Sequence, residues 1–257
     1  MVERRSLLFQ LVRRDFEQRY VGSAMGWIWG LIQPLVLLLS WTLVFGFFLH
    51  QKPPAGVKSY ALFLFAGMLP WMLFSETLQR SATSLLEQAN LITKTVFPAE
   101  IVPVSIFLSV LVGHALALLL LIVVAGVSQS QISVFLLLLP LYVFATGLMA
   151  VGLGWIVASL HVFLRDTSQV LSVILTFWFW ITPIFLTEDY YYKHQWTGYL
   201  LAANPMAYVV RGYRAMLITS AAPRMEDLGI ALAFGAAAFV AGGLFFRHMK
   251  RGFADVL

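Results

Sequence analysis

The longest uncharged run in this chain decides what it can fold into. Between Glu100 and Arg165 lie 64 residues without an Asp, Glu, Lys or Arg. As one helix at ~1.5 Å per residue the run would be roughly 95 Å long, several times the ~30 Å hydrocarbon core of a bilayer. It must cross, turn and cross back, and Ser128-Gln129-Ser130-Gln131 is the natural polar turn. The rest of the chain has the same character. Of its 257 residues 60% are apolar and 11% charged, against roughly 25% charged in soluble domains. The expected class is an all-α, polytopic membrane protein. The net charge of +5 then reads as topology and as attraction to anionic headgroups, with no nucleic-acid partner. Zero cysteines exclude disulfides, iron–sulfur clusters and thiol catalysis.

Residues 6–20 read as an amphipathic helix. Leu8, Phe9, Val12, Phe16 and Tyr20 form one stripe, and Gln10, Arg13, Arg14 and Glu17 the opposite one. Arg13–Glu17 and Asp15–Arg19 are i,i+4 pairs. The helix is too short and charged to span and is expected on the membrane surface. No cleavable signal is expected, because 26 largely polar residues precede the first long apolar run. Six spans follow by length: 27–49, 60–86, 102–127, 133–160, 170–186 and 228–246. Gly22, Gly26 and Gly30 form a small-residue row leading into the first. Arg80 lies one turn from Glu76, which predicts an internal ion pair. The stretch 196–214 is apolar and aromatic but is broken by Asn204-Pro205, and only about 14 residues separate Trp196 from Arg211, too few to span. It is read as a pair of short re-entrant or interfacial helices. With six spans the positive-inside count is 11 against 6 for a cytoplasmic N-terminus; a seventh span at 196–210 would give the same count, so segment length alone favours six. The plan is one transmembrane domain, 1–257: an interface helix (1–26), spans one to five (27–186), an outer re-entrant gate segment (187–227), span six (228–246) and a cytoplasmic tail (247–257).

No catalytic set emerges. The chain has no GxxxxGK[ST] phosphate loop, no HExxH and no GxSxG. Five scattered histidines match no metal spacing, and His114, deep in a span, is expected to make a helix–helix hydrogen bond. No catalytic residue, metal ligand or cofactor is assigned, so energy for any transport must come from a partner. The loop Glu87–Glu100 contains a possible short helix and ends near Pro98, and its Leu91 and Phe97 suit a partner's groove. The turn after span four carries the charge pair Arg165-Asp166.

In chain order, Arg19–Trp27 with Pro34, Asn90-Leu91-Ile92-Thr93-Lys94 with Phe97-Pro98, Phe163-Leu164-Arg165-Asp166, Trp180 with Pro183, Asn204-Pro205 and Arg251-Gly252-Phe253-Ala254-Asp255 resemble the ABC-2 type permeases, in the subgroup that exports O-antigen or teichoic-acid-like polymers. The resemblance implies a homodimer of six-span subunits joined to two ABC ATPase subunits, which bind ATP and Mg. The implied substrate is an undecaprenyl-linked polysaccharide moving across the bacterial inner membrane between the two permeases. It places ATPase coupling on Arg13, Arg14, Phe16, Asn90, Leu91, Lys94, Phe97, Pro98, Arg165 and Asp166. The substrate path is assigned to Trp27, Trp178, Trp180, Tyr190, Tyr191, Tyr192, Trp196 and Tyr199, because aromatic faces give sugars a sliding contact with exchangeable hydrogen bonds; the plain alternative for these is an interfacial aromatic belt. Arg211 and Arg214 suit either phosphate or the outer headgroups, and headgroups are the expectation. Two other readings stay open: a drug or glycolipid efflux permease, and a membrane-embedded transferase acting on lipid-linked sugars, for which Glu188 and Asp189 are the candidate carboxylates.

Overall fold

The computed structural model describes residues 2–20, 25–50, 52–54, 57–94, 97–129 and 133–253; residues 2–6, 18–20, 27, 93–94 and 129 are described by backbone alone. Among the described residues all regular structure is helical. Five helical segments are long and apolar enough to cross a membrane: Trp29–Phe48, Tyr60–Glu87, Ile101–Ser128, Val134–Phe163 and Met225–Gly252. The chain is a multi-pass, all-α membrane protein.

Helix α1 (Val2–Tyr20) precedes the first span and packs against α5. Leu11 is its buried anchor, and Arg13 Nε bonds Glu17 Oε1 at 2.7 Å on the exposed side. Helix α2 (Trp29–Trp41) passes into a π-helix, Thr42–Phe48. Two hydroxyls bond back into the turn before them there, Ser40 Oγ to Val36 O (2.7 Å) and Thr42 Oγ1 to Leu38 O (2.8 Å), a pattern that loosens helical regularity. Only 11% of this span is buried. Helix α3 (Tyr60–Glu87) is its opposite, 78% buried, and forms the centre of the bundle. The short α4 (Ala89–Lys94) is the helix expected in the loop.

Helices α5 (Ile101–Gln129) and α6 (Leu139–Phe163) are the two crossings of the uncharged run. Of the polar tetrad expected to form the turn, Ser128 and Gln129 still belong to α5, and Ser130 and Gln131 lie outside the described residues. Ser133 Oγ accepts from Phe135 N and starts the next helical turn. Helix α7 (Thr167–Ile181) has 15 residues, about 22 Å at 1.5 Å per residue, so it is shorter than the fifth span expected at 170–186. Pro183 sets its end: the residue before a proline is driven out of the α region, and Thr182 is extended at φ −78°, ψ 134°. Three short helices follow, α8 (Glu188–Tyr191), α9 (Gln195–Ala202) and α10 (Pro205–Leu217). The break expected at Asn204-Pro205 is the α9–α10 junction. Asn204 Oδ1 caps Met206 N and Pro205 takes the first helical position, where its missing N–H costs nothing. Helix α11 (Met225–Met249) returns along α6.

The α6–α11 crossing is built on glycine. A Cβ added at Gly242 would lie 2.0 Å from Gly152 O, one at Gly152 would lie 2.3 Å from Ala238 O, and one at Gly235 would lie 2.6 Å from Ala145 O. Backbones meet directly, as small residues permit in membranes. Of the glycine row expected before the first span, Gly22 lies outside the described residues, and a Cβ on Gly26 would meet nothing within 4 Å.

Candidate functional site

The predicted site residues fall at two ends of the bundle. At one, α1, α4, the α6–α7 turn and the C-terminal tail gather. Arg13 and Arg14 are exposed, Phe16 is half-buried, and Asp15 forms an ion pair with Arg80 of α3. Arg80, expected to pair with Glu76, thus has a partner 65 residues distant, because α1 lies across this end. Arg19, the expected partner of Asp15, has no described side chain. Behind the pair is a polar cavity of about 280 Å³, lined by Arg14, Asp15, Arg80, Thr83, Gln88 and Ser105 among others. It brings α1 next to the start of the α4 loop.

In that loop Asn90 is exposed and Leu91, Phe97 and Pro98 are half-buried, while the side chain of Lys94 lies outside the described residues. Phe97 and Ile92 pack against the core around Leu85 and Val102. Trp155 Nε1 donates to Glu100 O (2.9 Å) and Lys250 pairs with Glu100 Oε1 (2.9 Å); the loop is therefore tied to both α6 and the tail. Arg165 and Asp166 are exposed in the α6–α7 turn. Next to them Phe163 meets Phe253 of the tail at 6.1 Å between ring centres.

At the far end the aromatic residues divide into two sets. Trp180, Tyr190, Tyr192, Trp196 and Tyr199 are exposed, each by 55% or more. Trp178 and Tyr191 turn inward. Trp178 donates from Nε1 to Asn204 Oδ1 (2.9 Å), and its ring lies 5.1 Å from that of Phe74. Tyr191 OH donates to Trp180 O (3.1 Å). The side chain of Trp27 lies outside the described residues. Asn204 is the hub of this end: it also donates from Nδ2 to Thr182 Oγ1 (3.0 Å), joining the end of α7 to the α9–α10 break.

Both arginines expected at headgroups point into the protein. Arg211 binds Glu188 Oε1 (2.8 Å) and Asp227 Oδ1 (2.6 Å), so α8, α10 and α11 share one cation. Burial works against its charge, but the hydrogen bonds and charges of the two carboxylates outweigh burial and raise its pKa above the ordinary value. Arg214 donates to three main-chain carbonyls: Pro183 O (2.5 Å), Ile184 O (2.6 Å) and Phe63 O (3.3 Å). Its guanidinium lies 3.6 Å from the Phe63 ring centre and fills the notch at Gly67, where a Cβ would come within 2.7 Å of it. Burial pulls Arg214 down to about 9, so it stays a cation at neutral pH. The signal for this was in the sequence, since two cations in an apolar segment need polar partners; nothing local said which. Glu188, a candidate carboxylate of the transferase reading, is bound to Arg211, while Asp189 is exposed.

In mid-bundle, His114 Nε2 and Tyr213 OH are 3.0 Å apart, which is the helix–helix hydrogen bond expected of His114.

Comparison with known proteins agrees with this architecture. The chain is 29% identical over 252 residues to the O-antigen export system permease protein RfbA of Myxococcus xanthus, covering 98% of this chain and 95% of that one. It is 25% identical over 253 residues to RfbA of Klebsiella pneumoniae, with the same coverage. The polysialic acid transport protein KpsM of Escherichia coli is 26% identical over 203 residues, 78% of this chain and 76% of that one. The family model for the ABC-2 type transporter matches residues 6–218, and with that match over most of its length the chain belongs to the ABC-2 type transporter family.

Proposed function

We propose that this chain is the permease subunit of an exporter of undecaprenyl-linked polysaccharide, an O-antigen or a teichoic-acid-like polymer. It works as a homodimer with two separate ABC ATPase subunits, which hold the ATP and Mg. The observation that carries the reading is the end-to-end similarity to O-antigen export permeases, 98% of this chain. Two features of the fold support it. The first span keeps only 11% of its residues buried, which suits a helix that meets a second copy. Five exposed aromatics between Trp180 and Tyr199 offer stacking faces for sugars. The protein sits in the bacterial inner membrane with both termini cytoplasmic, so α1, α4 and the tail meet the ATPase, and α8–α10 form the outer gate segment. Arg13, Arg14, Phe16, Asn90, Leu91, Lys94, Phe97, Pro98, Arg165 and Asp166 make the coupling surface.

The test is purification of the tagged chain from its native operon in mild detergent. Co-purification of a P-loop subunit with ATPase activity and of a lipid-linked glycan, identified by mass spectrometry, is expected. A stable chain without an ATPase refutes the reading. An ATPase found with a drug or glycolipid cargo moves the assignment to efflux.

A further inference from the structure

The seam beneath α1 differs in kind from the packing elsewhere in the bundle. Most helices meet through apolar side chains or glycine, but α1 and α3 face each other across the polar cavity of about 280 Å³. At ~30 Å³ per molecule in the liquid it has room for several waters. Among the described residues Arg80 Nη1 and Gln88 Oε1, both buried there, find no hydrogen-bond partner, which suits a site occupied by water. The Asp15–Arg80 pair at this cavity keeps side-chain exposures of 22% and 28%. Water can replace each partner as the pair opens, which removes most of the penalty that a dry buried pair would impose.

What Arg80 is attached to gives the pair its consequence. Helix α3 is the most buried span. It runs from Arg80 to Phe63, roughly 26 Å along the axis, where Phe63 O and the Gly67 notch receive Arg214. Arg214 in turn grips the carbonyls of Pro183 and Ile184, at the start of the segment that bears the exposed aromatics. A continuous set of packed and bonded groups therefore joins α1 to the opposite end of the bundle.

We propose that Asp15 and Arg80 form a releasable ionic latch between α1 and α3, through which a movement of α1 reaches the aromatic outer segment by way of Arg214. Asp15 and Arg80 are positioning residues: neither touches nucleotide or polymer. The proposal rests on the ATPase-coupled reading above. That reading fails separately, if the unmodified chain brings down no ATPase.

The test uses the complete complex in proteoliposomes. The chain has no cysteine, so Arg14→Cys and Thr83→Cys, which line the cavity and leave the ion pair in place, can be joined by a cleavable thiol cross-linker and the bridged peptide identified by mass spectrometry. Trapping the ATPase with nucleotide is expected to cut the cross-linking yield by about fivefold, the low end of ordinary coupling between sites. Because Arg14 belongs to the proposed coupling surface, the reference is the same double variant before cross-linking. The cross-linked complex should hydrolyse ATP at that variant's rate without exporting, and cleavage of the linker should return export to that variant's level. Equal yields with and without nucleotide overturn the latch, as does export that survives the cross-link. The charge exchange provides an independent arm in cells. Asp15→Arg and Arg80→Asp should each lower export per ATP hydrolysed, and the double exchange should restore it. Single variants that export normally, or a double exchange as impaired as the singles, overturn the proposal.

Discussion

Alanine at Gly242 should separate α6 from α11, while alanine at the next residue should not. The added Cβ at Gly242 would lie 2.0 Å from Gly152 O and 2.9 Å from Gly152 Cα. Ordinary carbon contacts begin near ~3.5 Å, so the helices must part by roughly 1 Å or more. Both colliding groups are backbone, and no rotamer change can relieve them. Overpacking of this kind costs about 1–3 kcal/mol, partly offset by the ~1 kcal/mol that alanine gains over glycine inside a helix. The net loss expected for Gly242→Ala is about 0–2 kcal/mol, toward the upper end because both colliding groups are backbone, or a few degrees in Tm for a chain of this size. At Gly243 the added Cβ would touch only the Trp155 ring edge at 3.5 Å, so Gly243→Ala should be neutral or stabilising by up to ~1 kcal/mol. Gly46→Ala, with nothing within 4 Å, is the second control. Thermal unfolding of the three purified variants in one detergent, followed by size-exclusion recovery after heating, measures the difference. Equal shifts for Gly242→Ala and Gly243→Ala would refute the reasoning that backbone contact, and not helix propensity, governs this crossing.

Arg211→Gln leaves Asp227, 5% exposed, without its cation and should cost about 3 kcal/mol; the double variant Arg211→Gln, Asp227→Asn should recover most of it by the same unfolding assay. The two aromatic sets should separate by readout. Trp178→Phe loses the bond to Asn204 and should lower stability by about 1 kcal/mol, whereas Trp196→Ala and Tyr199→Ala, both exposed, should leave unfolding unchanged and reduce polymer reaching the cell surface. Phe97→Ala should insert normally but weaken attachment or stimulation of the ATPase, checked by complex yield and ATPase rate; its half-buried ring predicts a small loss of stability as well. Normal yield and export in that variant would remove Phe97 from the coupling surface.

Local chemistry was enough to locate five of the six expected spans; the other, expected at 170–186, is the shorter helix α7. Hydropathy is a property of short windows, and the lipid acts on each window separately, so the two crossings of the 101–164 run could be read directly. The helix break at Asn204-Pro205 followed from its proline and capping side chain, whereas Pro183 ends α7 at Ile181, inside the span expected at 170–186. The small helix in the 87–100 loop and the bond made by His114 were legible for similar reasons. The partners were not. Arg80 binds a residue 65 positions away, Arg214 reaches Phe63 across 151, and the glycine contact joins α6 to α11 at Gly152 and Gly242. The sequence marked Arg211 and Arg214 as cations that must be neutralised or bonded, and it could not say whether lipid, polymer or protein would do so. Helix packing decided that by bringing Glu188, Asp227 and three carbonyls within 3.3 Å of them. Crossing the membrane is thus fixed by composition along the chain. The use of each polar side chain within it is fixed by which helices approach, and that depends on all of them at once.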